Sequence, residues 1–342
     1  SQSCRQPFTV YSLRYTGLYD GEWGPSREVE ELAGNPLLLF LFFFPRKLFH
    51  TIARETKRYA ASTVSARARG IHDRQKKEAV QKKRSKESIE SKKQIRKRLK
   101  TNFKPFAPVE FAKFFGLCIA RMLCPHKRRL STHWSLSAKG AVPAGTFSAF
   151  IFDELVQHMH FSNNADPMAR TDRVWKIRPI VDALQDTFRK GYRPGPYISF
   201  DEGMLPSQSK FNGTRMYMKD KPRKWGTKMF LTCCSDTAYC MRLEVYCGKK
   251  AHLGGPNTID DKSGPSAVIR SIEKVLPRRR SDYRLWNSLA LGLLDCALVN
   301  AYIIHKEVFK RADKTPLSHA EFLTTLHQQL LDVKPSDLVE ES

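Results

Sequence analysis

Apolar residues recur along this chain with two different periods, and the change of period marks its middle. Pro36 to Pro45 encloses the unbroken run LLLFLFFF. That run falls well short of the roughly 20 residues a membrane span needs. It also lacks the basic flank and small-residue cleavage site of a signal peptide. It predicts a buried helix continuing through Leu48, Ile52 and Ala53. Phe106, Val109, Phe111, Phe114, Phe115 and Leu117 predict a second buried helix over Pro105 to Cys124. Val174, Ile177, Val181, Leu184 and Phe188 predict a third, started or kinked at Pro179 and ended by Gly191 to Pro196. The period then falls to two. In Tyr197 to Asp201, Ile198 and Phe200 face one side while Tyr197, Ser199 and Asp201 face the other. Asp201 is thereby placed at a strand end, where a carboxylate can hold a metal ion. Thr227 to Ser235 and Tyr239 to Cys247 predict two more strands joined at Asp236-Thr237-Ala238, hence an antiparallel meander. Helical spacing returns in Ser263 to Leu276, through Val268, Ile269, Ile272 and Val275, after the break Gly254-Gly255-Pro256. The last apolar face is Phe322, Leu323, Leu326, Leu330 and Leu331, with Ser318 and Glu321 at capping-box spacing. From Asp332 onward the chain is polar and is expected to fray.

Charge turns this layout toward a polyanionic partner. The 342 residues, enough for two ordinary domains, carry a formal net charge of +25. The pI near 9.8 points to nucleic acid first and an acidic membrane surface second. Arg67 to Lys104 is dominated by Lys and Arg, and reads as a solvated helix or a disordered arm. Within it, Lys82-Lys83-Arg84 and Arg96-Lys97-Arg98 fit nuclear import as well as they fit a plain charged surface. A second basic stretch lies between the first two predicted strands. Lys210, Arg215, Lys219, Lys221, Arg223 and Lys224 are interleaved there with Phe211, Tyr217 and Trp225, which suits a nucleic-acid backbone and its bases, and Lys228 at the start of the second strand joins them as a nucleic-acid-binding candidate.

The eight cysteines include no C-x-x-C pair, so reduced thiols in an intracellular protein are expected rather than a disulfide framework or a structural zinc site. His158 and His160 have H-x-H spacing, but without a third or fourth ligand nearby they are expected to pack or cap. Cys124 and His126 are read the same way. The chain starts at Ser1 rather than Met, so its natural N-terminus is expected to lie upstream.

Several motifs occur in an order that carries a resemblance. They are Asp201-Glu202, then Lys221-Pro222-Arg223-Lys224-Trp225-Gly226-Thr227-Lys228, then Tyr239, then Glu244-Val245-Tyr246-Cys247-Gly248-Lys249. This run resembles the piggyBac family of transposases, with its Asp-Glu on a first strand, its K-P-x-K-x-G-x-K segment and its strand ending E-x-Y-x-G. Further matches are Glu55-Thr56 with Tyr59-Ala60, His133-Trp134-Ser135, Met159-His160-Phe161-Ser162-Asn163-Asn164, and Leu285-Trp286-Asn287 through His305.

The resemblance implies a mixed α+β and α/β fold: a partial RNase H-like core of the DDE/D transposase type, flanked by N-terminal and C-terminal helical regions. It maps the first of three catalytic aspartates onto Asp201, as metal ligand and catalytic residue, with Mg2+ as cofactor. The family's chemistry is cut-and-paste DNA transposition with two metal ions roughly 3.5–4 Å apart. The motifs that hold the second and third aspartates have no counterpart in this sequence, and neither has the family's Cys-rich terminal module after Cys296. Val275-Leu276-Pro277 runs straight into Arg278-Arg279-Arg280, and an internal deletion is inferred at about Pro277/Arg278. Asp260, Asp261, Asp282 and Asp295 are poor substitutes by position, and Glu202 points to the other strand face.

The expected organisation is an irregular leader over 1–34, then a helical, basic dimerisation and DNA-binding region over 35–165. The first part of the catalytic core follows over 166–277, and a C-terminal helical segment over 278–342. The expected protein is a nuclear, catalytically inactive transposase derivative that binds DNA, either as a homodimer or with an intact transposase, and has no membrane association. The alternatives are a non-enzymatic DNA-binding or regulatory protein and a decayed remnant without a stable fold.

Overall fold

Asn35 sets the first firm boundary of the fold. The computed structural model describes residues 22–81, 89–123, 149–195, 197–207, 212–219, 221–246 and 287–339. The Asn35 side chain accepts from the backbone N–H groups of Leu37 and Leu38, capping α2, Pro36–Phe43. The apolar run does form a buried helix, but it stops at Phe44 and Pro45. The chain then turns by 61° into α3, Arg46–Gln81. Proline cannot donate the bond an uninterrupted helix needs, which explains the break. Among the described residues no single helix is long and apolar enough to cross a membrane.

The supposed leader is ordered over its last part. Gly24–Pro25 forms β1, Arg27–Leu32 forms α1, and Val29 is fully buried. The basic stretch is helical where it is described. α3 runs to Gln81, and α4, Lys92–Asn102, starts at a reciprocal capping box of Ser91 and Gln94 and packs against α3. Glu90 ties this hairpin, accepting from Gln75 and from the Arg98 guanidinium. Next come α5, Pro108–Leu123, and α6, Ala149–His158. A four-residue α7, Met168–Thr171, precedes α8, Arg178–Gly191, which has Pro179 in its first turn. Ile177, Val181, Leu184 and Phe188 are all buried, as their spacing predicts.

Tyr192–Arg193 forms β2, pairing antiparallel with β1. The main sheet is β3, Ile198–Pro206; β4, Met216–Tyr217; β5, Trp225–Cys234; and β6, Cys240–Val245. β5 is central. β3 lies along one edge, and β6 and β4 share the other, all antiparallel. The first predicted strand is longer than its alternation indicated. It continues through Gly203 to Pro206, so Asp201 lies inside the strand rather than at its end. Gly226 explains part of that continuation, because a Cβ there would run into the Leu205 carbonyl oxygen.

α9, Asn287–Arg311, and α10, His319–Asp332, complete the described chain. Ser318 and Glu321 form the predicted capping box, and the predicted apolar face of α10 is buried. The expected fraying after Asp332 does not occur over the described residues, which run to Val339. Val333 and Leu338 are buried, while Leu338 and Asp337 offer their carbonyl oxygens to His50 and Arg46 on α3. One contiguous core unites all these parts. Phe40 and Phe43 of α2, with Phe44 at its end, meet Phe115 of α5, Phe188 of α8 and Tyr239 beside β6, and the same core takes Leu298 of α9 and Phe322 of α10. Phe43 touches both Phe188 and Tyr239, so Phe43→Ala would cost about 3–5 kcal/mol.

Candidate nucleic-acid interface

Asp201 pairs with Leu231 across β3 and β5, and its neighbour Glu202 pairs with Phe230. Successive strand residues face opposite sides, so the two carboxylates diverge. Asp201 is exposed, and its Oδ1 accepts from the Glu202 backbone N–H at 2.7 Å. Its face is shared with Met229, Leu243 and Val245, which are buried. Glu202 is committed elsewhere: its Oε1 lies 2.5 Å from Lys228 Nζ, and its carbonyl oxygen accepts from Lys221 Nζ at 3.1 Å. A two-metal centre needs several converging carboxylates to offset the mutual repulsion of the cations. Among the described residues no group of three or more His, Cys, Asp or Glu converges to hold a metal ion. The described donor set around Asp201 therefore does not fit the family's metal pair.

The basic stretch folds into a short β4–β5 hairpin. Met216 pairs with Gly226 and Tyr217 with Trp225, and the Met218 N–H donates to the Lys224 carbonyl oxygen at 2.8 Å. A buried polar knot anchors its base. Asn212 Nδ2 donates to Thr227 Oγ1, and Thr214 donates through its N–H and its hydroxyl to Asn212 Oδ1. Arg173 adds a hydrogen bond to the Gly213 carbonyl oxygen, a support that no motif announced. At the tip, Tyr217 and Trp225 are 50% and 43% exposed, with ring centroids 5.2 Å apart and edge to face. The Arg215 guanidinium sits 4.4 Å from the Trp225 ring centroid. Lys219, Arg223 and Lys224 are exposed on the same short hairpin.

The candidate cations thus divide. Arg215, Lys219, Arg223 and Lys224 gather with two exposed aromatic rings. Lys221 and Lys228 instead hold Glu202, and Lys228 also lies over the Phe230 and Tyr246 rings. Lys210 lies outside the described residues. So do Cys124, His126, the His133-Trp134-Ser135 step, Lys82-Lys83-Arg84, Asp260, Asp261, Asp282, the helix predicted over 263–276 and the Pro277/Arg278 junction.

The two histidines have local partners. His158 Nδ1 lies 2.8 Å from the Glu154 carbonyl oxygen. His160 Nε2 lies 3.0 Å from Asn164 Oδ1, and its ring stacks on Tyr59. Its N–H donates to Thr56 Oγ1 at 3.1 Å. Two separate stretches of the resemblance, Glu55 to Ala60 and Met159 to Asn164, therefore meet in space. Asp295, on α9, borders a cavity of about 390 Å³ lined by Phe114, Met122, Val156 and Met159, with Arg121 at its edge. This apolar surrounding pushes its carboxyl up to about 6.

Comparison with known proteins accounts for this arrangement. A family model described as Transposase IS4 matches residues 35–279. The human (Homo sapiens) piggyBac transposable element-derived protein 3 is 25% identical over 165 residues, which are 47% of this chain and 26% of that protein. The human chimeric ERCC6-PGBD3 protein is 25% identical over 165 residues, 47% of this chain and 14% of that protein. The matched part thus spans about a quarter or less of these curated relatives. The cryo-EM structure of a piggyBac transposase synaptic complex with hairpin DNA shares the fold over 90% of this chain and 82% of its own, with a TM-score of 0.60 at 16% identity. With most of its length under one family model, the chain belongs to the Transposase IS4 family, as a piggyBac-type member with a mixed helix-and-sheet fold.

Proposed function

We propose that this protein binds DNA through the β4–β5 hairpin, aided by the basic α3–α4 hairpin, and that it does not cut DNA by itself. The observation behind the first part is the exposed group of Tyr217, Trp225, Lys219, Arg223 and Lys224, with the half-buried Arg215 against the Trp225 ring. Cations beside accessible aromatic rings hold phosphates and stack on bases. The named complex of the structural neighbour, a transposase with hairpin DNA, supports the same partner class. Behind the second part is the divergence of Asp201 and Glu202, with Glu202 held by Lys228. The core is then a partial RNase H-like one that retains the first acidic position alone. Two copies, or one copy with an intact transposase, would supply the DNA-bound assembly. The basic stretches Lys82-Lys83-Arg84 and Arg96-Lys97-Arg98 would direct it to the nucleus.

The test is a duplex-DNA titration of the full chain at several salt concentrations, run beside a strand-cleavage assay with Mg2+ or Mn2+. Salt-sensitive binding without cleavage is the expected result. Metal-dependent cleavage that disappears in Asp201→Ala would overturn the catalytic part, and absence of binding at low salt would overturn the binding part.

A further inference from the structure

Cys233 on β5 and Cys240 on β6 are direct cross-strand partners, at the register shift that follows Thr232. Both main-chain groups of Cys240 are engaged on the side away from β5. Its N–H donates to Asn300 Oδ1 at 3.0 Å, and its carbonyl oxygen accepts from Asn300 Nδ2 at 2.9 Å. Cys233 and Cys240 therefore form a non-hydrogen-bonded pair, the closer kind, with Cα atoms about 4.5 Å apart and side chains on one face. That separation lies inside the range of about 4.4–6.8 Å that a disulfide spans. The single Cys240 S–H hydrogen is shared between the Arg242 carbonyl oxygen, 3.3 Å away, and the Cys233 sulfur. Cys233 is half-buried and Cys240 buried, so one sulfur of the pair is within reach of solvent.

We propose that Cys233 and Cys240 are a thiol–disulfide site, oxidised reversibly by a low-molecular-weight disulfide such as glutathione disulfide. The Cys233 thiolate attacks one sulfur of the oxidant, forming a mixed disulfide and expelling one thiolate. Cys240 then loses its proton and attacks Cys233 Sγ, forming the intramolecular bond and releasing the second thiol. Two protein thiols are oxidised and one external disulfide is reduced to two thiols. The hydrogen bond from Cys240 holds the Cys233 thiol below its ordinary range, which favours Cys233 as the attacking group. Burial pushes Cys118 and Cys296 up to about 12, which makes them slow competitors. Asp201 and Cys296 are the other titratable groups acting on Cys233. The bond would lock the β5–β6 turn where Asn300 of α9 clamps it.

The experiment oxidises the folded full chain with glutathione disulfide, alkylates the remaining thiols, and maps the products by mass spectrometry. Trypsin leaves Met229 to Arg242 as one peptide, and cleavage after Tyr239 separates Cys240 from Cys233. The expected peptide is lighter by two hydrogens and stays joined after that cleavage, in the natural chain and in Cys234→Ser. Cys240→Ser should stop at a glutathione adduct on Cys233. Cys118 and Cys296 should react roughly tenfold more slowly or less. Retention of both thiols, a Cys233–Cys296 bond, or loss of the crosslink in Cys234→Ser would overturn the assignment.

Discussion

The imidazole of His160 lies flat on the ring of Tyr59, with centroids 4.0 Å apart and planes within 1° of parallel. One turn earlier on α3, the fully buried Thr56 accepts from the His160 backbone N–H. Stack and hydrogen bond together fix the exit of α6 against the N-terminal half of α3. Thr56→Val keeps the volume but strands that N–H, and should destabilise by about 1–3 kcal/mol. A shift in the urea midpoint with unchanged slope would show it.

Acid should loosen the same junction. Burial holds both His158 and His160 below the ordinary imidazole range. A depressed imidazole takes up its proton in the unfolded chain first, so the stabilisation exists above the ordinary value of 6.5 and is lost as pH falls below it. The urea midpoint should therefore drop between roughly pH 7 and pH 5, and His160→Gln should flatten that drop.

On the β4–β5 hairpin, exposure separates cations that sequence alone groups together. Replacing Lys219, Arg223 and Lys224 with Ala should lower the slope of log affinity against log salt by roughly 0.9 for each phosphate no longer neutralised, about 2.7 in all. Lys228→Met should leave that slope unchanged, because Lys228 is spent on Glu202. Equal slopes for the triple variant and the natural chain would contradict the placement of the interface.

Asn300 is wholly buried and reaches across from α9 to both main-chain groups of Cys240. Asn300→Ala strands a donor and an acceptor at once and should cost roughly 2 kcal/mol or more. Hydrogen exchange at the Cys240 amide should then speed up well ahead of exchange in the middle of β5.

Asp295 should give the opposite pH signature to the histidines. Its carboxyl is raised from 3.8 to about 6, so the folded chain holds that proton more tightly than the unfolded one. The resulting stabilisation is full below the ordinary value and is lost as pH rises through about 6. Asp295 is exposed at the cavity mouth, and solvent screening keeps the effect to about 1 kcal/mol or less. Asp295→Asn should remove it, seen as a smaller change in melting temperature from roughly pH 4 to pH 7.

Periodicity revealed α5, α8 and α10 because each buries an apolar face, β5 and β6 because they are largely buried, and the start of β3 because half-buried Ile198 and Phe200 alternate with exposed Ser199 and Asp201. It misplaced Asp201 because Met204 and Leu205 continue the strand with side chains only half-buried, a pattern without clear alternation. It ran α2 and α3 together as one helix because Phe44 and Leu48 are both apolar, and only Pro45 between them marks the turn. The polar residues after Asp332 concealed an anchored end, since the bonds there use their carbonyl oxygens and two isolated apolar side chains. Charge spacing identified the basic hairpin, but pairing decides which cations face solvent. Lys228 is internal only because strand register sets it beside Glu202. The Asn300 clamp left no sequence signal, since it joins positions 60 residues apart through one amide.

The interlocking of early and late helices has a consequence for how the chain acquires its shape during synthesis. Gln329 of α10 donates to the Asn35 cap of α2 and accepts from the Leu37 N–H, His327 bonds the Gly116 carbonyl oxygen, and His305 bonds that of Ala33. The cover of α2 and α5 begun by Phe188 and Tyr239 is thus complete only when the ribosome has released residues near 330. Contacts this distant along the sequence form slowly. At about 5–20 residues added per second, the Phe-rich α2 waits some tens of seconds for its last partner, α10, and until then part of its apolar surface is open to wrong contacts.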